Sequence, residues 1–297
     1  MKSVSAFALL LALLLTLPLP ATAAAQKAPG YRIEQIKDNV YRFTAGNYRS
    51  AFMVTDKGLF LTDPINRKAA KWLQQALKRR FDVPVRYLAY SHNHLDHTMG
   101  GDILATKGVS VIAHEYAAED LEWTRVQTAM ADITFRDDLV IRLGDSRVEL
   151  RYHGPNNGRG SVSMRFMPAN VLYVVDWIVV GRMPYRDLPG YDIHGMIRST
   201  REVLAEPPFD VFIGGHADTG TREDVQRYLH YLEALYAAVR DGMLQGKSLP
   251  TLQREITLPE YSDLKMYREW LPLNIAGVYR TLMDMSYFNL RSDIEGK

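Results

Sequence analysis

The sequence predicts an α/β protein in which two β-sheets pack together and are covered by helices. Short apolar or alternating runs recur at residues 109–113, 139–143, 148–152, 161–166 and 171–175, the pattern of strands with one or both faces buried. Residues 67–81 instead place Ala70, Leu73, Ala76 and Leu77 on one helical stripe. A second stripe, Val225, Tyr228, Leu229, Leu232, Leu235, Tyr236 and Val239, runs up to Gly242 and Gly246. Strand-rich stretches broken by helices bury their apolar faces best as stacked sheets with helices outside.

In chain order, the first 25 residues read as a secretory signal. Lys2 is their only charge, residues 6–17 form an apolar core, and Ala21-Thr22-Ala23 offers small residues for cleavage, so the expected signal is 1–23 and the mature chain begins near Ala24. Pro18 and Pro20 break an apolar run already short for a membrane span, so no stable membrane anchor is expected after cleavage. The helix at 67–81 ends in Arg79-Arg80, where positive charge suits the helix terminus. It leads to a strand-like segment, Tyr87-Leu88-Ala89-Tyr90. Asp176 closes the apolar run 171–175, and His216 follows Val211-Phe212-Ile213 and two glycines. Thr221 with Asp224 three residues on is a capping-box pattern for the helix that follows. Residues 249–290 form a second helical region, whose Tyr267, Trp270 and Tyr279 are expected to pack against the domain rather than line a pocket.

Composition narrows the partners and the compartment. The net charge is +2, or +1 without Lys2, which gives no basis for nucleic acid or an anionic membrane as partner. A small-molecule substrate is expected instead. The chain has no cysteine, which excludes disulfides and a lipid-modified cysteine, so an exported product must draw its stability from its core. The expected location is periplasmic or secreted.

Directly after the strand at 87–90 comes Ser91-His92-Asn93-His94-Leu95-Asp96-His97, with three of the eight histidines and a carboxylate in six positions. Imidazole nitrogen and carboxylate oxygen are the ligands of zinc and its first-row neighbours. In an extended segment His92 and His94 point the same way, whereas Asp96 and His97 face elsewhere once the chain turns, so one loop can serve two neighbouring ions. His114, His194 and His230 stand apart and read as structural or exposed.

The motif His92-x-His94-x-Asp96-His97 resembles the signature of the metallo-β-lactamase-fold hydrolases. The resemblance covers roughly residues 31–235. It includes a hairpin from Ala51-Phe52-Met53-Val54 through Asp56-Lys57-Gly58 to residues 59–64, a helix start at Gly100-Gly101, a strand at 111–115, Asp176 at the bridging-aspartate position, and His216 after Gly214-Gly215 as the last histidine. It implies an αβ/βα four-layer sandwich of the metallo-β-lactamase type with a C-terminal helical extension over 236–297. It also implies one metal on His92, His94 and the group at 157, and a second on Asp96, His97 and His216, with Asp176 between them. Where the family carries its third histidine, this chain has Asn157, a neutral and weaker ligand. One tightly held zinc and a second, weaker one follow, with iron or manganese as the other metals this ligand set accepts. His153, four residues earlier, is a substitute ligand or, before Gly154-Pro155, a supporting residue.

The chemistry implied is metal-assisted hydrolysis of an ester, lactone or thioester, with Asp96 or Asp176 orienting a water and Tyr185 or Tyr191 donating to a developing oxyanion. An aspartate at 176, where true β-lactamases commonly carry cysteine or serine, argues against β-lactams as substrates. The alternatives are an iron-dependent oxygenase of the persulfide type, a β-lactam hydrolase, which the expected export keeps open, and a non-catalytic, degenerate metal-binding member.

Overall fold

The computed structural model describes residues 30–286, so the expected signal segment and the last eleven residues lie outside the described part. The first half opens with an antiparallel meander of β1 (Tyr31–Lys37), β2 (Val40–Ala45), β3 (Tyr48–Thr55) and β4 (Gly58–Thr62). Helix α1 (Arg67–Arg80) then crosses to β5 (Val85–Ala89), which lies parallel to β4. Two short helices, α2 (Leu95–Thr98) and α3 (Gly101–Leu104), lead to β6 (Ser110–His114), and α4 (Glu115–Thr124) leads to β7 (Ile133–Phe135). These seven strands form one sheet in the order β1-β2-β3-β4-β5-β6-β7.

The second sheet, ordered β13-β12-β11-β10-β9-β8, uses β8 (Asp138–Leu143), β9 (Ser146–Tyr152), β10 (Val162–Met167), β11 (Val171–Val174), β12 (Val211–Gly214) and β13 (Thr219–Gly220). Its one parallel pair, β11 with β12, is joined through helix α5 (Ile193–Ala205). After β13 come α6 (Arg222–Leu244), α7 (Leu249–Glu255), a 3-10 turn and α8 (Tyr267–Ser286).

Three apolar cores make this a four-layer sandwich. Between the sheets, Met53, Phe60 and Ile112 face Met164, Phe166, Tyr173 and Ile213, with Phe60 and Phe166 meeting edge to face at 6.1 Å. Outside the first sheet, Phe43, Leu61, Leu88 and Val111 pack on Ala69, Leu73 and Leu77 of α1 and on Ala117 and Leu121 of α4. Outside the second, Val174, Trp177 and Phe212 pack under α5, α6 and α8 through Met196, Leu232 and Ile275. β4 is buried along its whole length because helices and the other sheet cover both its faces.

The expected helices form with the expected caps. Asn66 accepts from the backbone N–H groups of Lys68 and Ala69 to start α1, and three basic residues occupy its last turn. Thr221 and Asp224 form the reciprocal capping box of α6. Gly242 lies within that helix rather than at its end, and packs close against α7: a Cβ there would meet Leu252 Cδ2 at 2.2 Å. The expected boundary between the domain, ending at 235, and the helical extension, starting at 236, falls inside α6. Trp270 is a correction: besides packing on α6 and its neighbours, it lines the cavity described below.

The segment after Asp176 is tied down by α8. Buried Asn274 donates to the carbonyls of Pro184, at 3.1 Å, and Arg186, and accepts from Tyr231 Oη at 2.7 Å. Asn274→Ala leaves these three groups without partners, and each buried orphan costs about 1–3 kcal/mol. Chemical denaturation should therefore show a loss of about 3 kcal/mol or more; a loss within about 0.5 kcal/mol, as at a neutral surface site, would show that the loop is held by other means.

Candidate metal centre

Three strand ends deliver the candidate ligands. β5 runs into Tyr90-Ser91 and then His92 and His94, and the single turn of α2 turns Asp96 and His97 inward. β11 ends just before Val175-Asp176, and β12 is followed by Gly215 and His216. At 215 only glycine fits, since a Cβ would meet Val175 Cγ1 at 2.5 Å and His97 Cε1 at 3.1 Å. Asp176 has φ 66°, a left-handed backbone that costs a non-glycine residue about 1 kcal/mol. Such strain persists where surrounding contacts hold it, and functional sites are where it gathers.

The side chains form two groups, His92, His94 and Asp176 in one and Asp96, His97 and His216 in the other, with ligand atoms within 4.8 Å of one another in each. Asp176 stands between them: its Oδ2 lies 3.1 Å from His92 Nε2 and 3.5 Å from His94 Nδ1, and its Oδ1 lies 2.9 Å from His216 Nε2. His216 Nε2 is also 3.0 Å from His97 Nε2 and 3.5 Å from Asp96 Oδ2. Asn157 is fully buried beside the first group and donates from Nδ2 to Asp176 Oδ2 at 2.8 Å.

The donor set fits a first-row divalent metal. His92 Nε2 and Asn157 Oδ1 are buried and make no hydrogen bond, so a lone pair on each is available as a ligand. Imidazole and carboxylate donors suit zinc, iron and manganese alike and leave the metal unassigned.

Behind the histidines lies a carboxylate that the motif did not reveal. Asp63, fully buried at the end of β4, accepts from Ser91 N (2.8 Å), Ser91 Oγ (2.7 Å) and Tyr173 Oη (2.7 Å). His97 Nδ1 is 3.3 Å from Asp63 Oδ2, so this carboxylate steers the ring. Burial disfavours its charge, yet His97, His92 and Ser91 hold its pKa below the ordinary range. The available sequence signal was an aspartate closing an apolar strand, as Asp176 does.

The remaining histidines are engaged elsewhere. His153 bonds Ser163 Oγ at 2.9 Å and Glu202 at 3.2 Å, the supporting role rather than the substitute ligand. His114 is buried against the Arg136 carbonyl at 2.7 Å, His194 meets Tyr236 Oη at 3.1 Å, and His230 is exposed.

The groups open into a cavity of about 420 Å³, where His94, Asp96, Asp176 and His216 share the wall with Asn47, Tyr48, Arg182, Tyr185, Pro189, Tyr191 and Trp270. Both tyrosines expected near the site thus line it, Tyr191 partly buried and Tyr185 exposed at the mouth. A larger cavity of about 500 Å³, near the end of α1 around Leu77, Phe81 and Lys107, contains none of these groups.

Charge is unevenly held. Burial opposes ionisation of Asp176, but His216, His92 and His94 pull its pKa well below the carboxylate range. Asp96 behaves alike, with burial outweighed by His216 and His97 and its pKa lowered to about 2. For His216, burial favours the neutral ring, yet the carboxylates of Asp176 and Asp96 win and raise its pKa to about 9. Burial, outweighing the carboxylate of Asp176, lowers the pKa of His92. Burial and the charge of Asp176 push Tyr191 well above the ordinary phenol value, so it stays protonated as a donor.

Comparison with known proteins agrees with this geometry. The family model described as the metallo-beta-lactamase superfamily matches residues 46–216. The chain is similar to 2,4-dinitroanisole O-demethylase subunit alpha of Nocardioides sp. (strain JS1661), 25% identical over 243 residues, or 80% of this chain and 71% of that protein. In structure it is similar to a metallo-beta-lactamase from Pontibacter korlensis (TM-score 0.63, 18% identity, 69% of this chain and 99% of that one). It is also similar to the DIM-1 metallo-beta-lactamase (TM-score 0.59, 18% identity, 69% and 98%). At these identities the two structures speak for the fold.

Metal must displace the proton of His216. Its raised pKa means that the metal-free protein is stabilised by this proton fully below about pH 6.5, the unfolded value, and loses that contribution as pH rises through about 9. Zinc uptake should therefore release at least one proton at pH 7 and fewer as pH passes 9, measured by calorimetry in buffers of different ionisation enthalpy. Proton release that is absent at pH 7 would contradict the protonated resting state.

Proposed function

The chain belongs to the metallo-beta-lactamase superfamily, and from that premise we propose that it is an exported metal-dependent hydrolase of an ester, lactone or thioester. One observation carries the reading: two ligand groups share Asp176 at the floor of a cavity that also presents a protonated tyrosine. His92, His94, Asp176 and Asn157 on one side and Asp96, His97 and His216 on the other would hold zinc, iron or manganese, which would supply an activated water near neutral pH and a Lewis acid for the carbonyl. Asp176 and Asp96, ionised at neutral pH, are placed to orient that water, and either could accept its proton. Tyr191, or Tyr185 at the mouth, donates its phenolic hydrogen to the oxygen that gains charge. Water adds across the acyl bond, giving an acid and an alcohol or thiol.

The Nocardioides relative favours a second reading, cleavage of an electron-poor aryl methyl ether. Water attacking the ring carbon would give a phenol and methanol, whereas oxidation of the methyl group by dioxygen together with two electrons and two protons from a reductant would give the phenol, formaldehyde and water.

Metal-loaded protein assayed against lactones, thioesters, aryl and alkyl esters, a β-lactam and an electron-poor anisole separates these readings. Turnover of an acyl substrate by the zinc form, lost in His216→Ala together with metal, is the expected result. Turnover of the anisole alone, with methanol or formaldehyde identified, replaces it with ether cleavage; no turnover with any metal favours the non-catalytic member. N-terminal sequencing of exported material should begin near Ala24, and Met1 retained on membranes would refute export.

A further inference from the structure

Helix α2 is a single turn, Leu95–Thr98, yet it carries Asp96 and His97 into the metal centre. One turn is too short to hold itself, because its carbonyls have few partners within the helix, so its place must be set from outside. Two groups do this. Ile65 N donates to the His97 carbonyl at 3.0 Å, and Thr128 Oγ1 donates to the Thr98 carbonyl at 2.6 Å.

Thr128 lies in the loop between α4 and β7, 30 positions beyond Thr98, and its hydroxyl is used in full. Besides giving its hydrogen to Thr98, it accepts from Gly101 N at 3.1 Å. Tyr90 Oη lies 2.8 Å from both Thr128 Oγ1 and the Ala129 carbonyl, and shares its hydrogen between these acceptors. A hydroxyl has one hydrogen and two lone pairs, so no capacity remains. Tyr90 is fully buried and stands two residues before His92, whereas Thr98 directly follows His97. One oxygen atom therefore joins the strand end that leads to His92 to the turn that presents Asp96 and His97. The chain is shaped for this contact, since a Cβ on Gly101 would run into both Tyr90 Oη and Thr128 Oγ1. Asp63, 3.3 Å from His97 Nδ1, aims the ring; Thr128 fixes the backbone from which that ring hangs.

We propose that Thr128 is a positioning residue of the metal centre: without touching a ligand, its hydroxyl fixes α2 against Tyr90 and so sets how tightly Asp96, His97 and His216 hold a metal. The proposal rests on the reading of these groups as metal ligands and is independent of the bond that is cleaved. Functional constellations work only when held within about 0.5 Å of their productive geometry. Loss of an outer partner of a metal ligand costs about 10–100-fold in affinity.

Thr128→Val keeps the shape and removes the hydroxyl, whereas Thr128→Ser keeps the hydroxyl and removes a methyl group. Zinc affinity of wild type and both variants is measured by competition with a chromophoric chelator, at a temperature where melting curves show all three folded. The valine variant should hold its tightest zinc about 10–100-fold more weakly than wild type, while the serine variant matches wild type. The visible absorption bands of the cobalt-loaded protein, which report ligand geometry, should change in the valine variant alone. Should that variant not fold, Thr128→Ala makes the same deletion with room for a water to solvate the freed groups, and is expected to weaken zinc likewise. A lower melting temperature with zinc affinity and cobalt spectrum unchanged would make Thr128 a purely structural residue and overturn the proposal. Equal weakening in the serine variant would assign the effect to packing and overturn it too. A wild type that binds no zinc would refute the metal centre and the proposal with it, whereas wild type and valine variant binding zinc alike would refute the positioning role alone.

Discussion

One buried carboxylate organises the site. Asp176 is held in a strained backbone at the end of β11 and faces His92, His94, His216 and Asn157 within 2.8–3.5 Å. An unpaired charge at that depth would be prohibitive, so the surrounding histidines must supply positive charge, or a metal must. Without metal the proton on His216 does this work, which is why its pKa rises although burial opposes it. A metal that replaces that proton meets ligands already in place.

That arrangement requires rigid strand ends. Asp63 links β4 to Ser91 and to Tyr173 of β11, so one fully buried carboxylate ties the first sheet to the second and aims His97. Gly215 lets the chain after β12 pass close to Val175 and His97. The sheets thus set the floor of the cavity, whereas its far wall comes from α8 and the loop it clamps, where Trp270 and Arg182 stand. Floor and wall are separate layers, so recognition can vary without disturbing the ligands.

Much of this was legible in the sequence because it is local. Strand and helix periodicity gave α1, α6 and most strands of the second sheet, and the spacing of His92, His94, Asp96 and His97 placed four candidate ligands on one loop. Asp176 and His216 were legible as polar residues closing apolar runs. Asp63 closes a run in the same way, but its function depends on Ser91 and Tyr173, far away in the chain. Arg182 and Trp270 are 88 positions apart, and an arginine that lines a cavity looks in sequence like any surface arginine. For Trp270, periodicity reports that its face is buried, not that its edge lines a cavity.

Asn157 remains the feature that sets this chain apart, since its Oδ1 is the buried acceptor left over after Nδ2 bonds Asp176. A neutral amide in place of an imidazole should weaken the group around His92 and His94, leaving that around Asp96, His97 and His216 the tighter. Anomalous diffraction across the zinc edge, from crystals equilibrated in a zinc buffer, measures occupancy at both positions directly. Full occupancy beside His97 and His216, partial occupancy beside His92 and His94, and a rise at the latter in Asn157→His are the expected results. Equal, full occupancy at both positions in the wild type, or zinc away from Asp176 altogether, would contradict them.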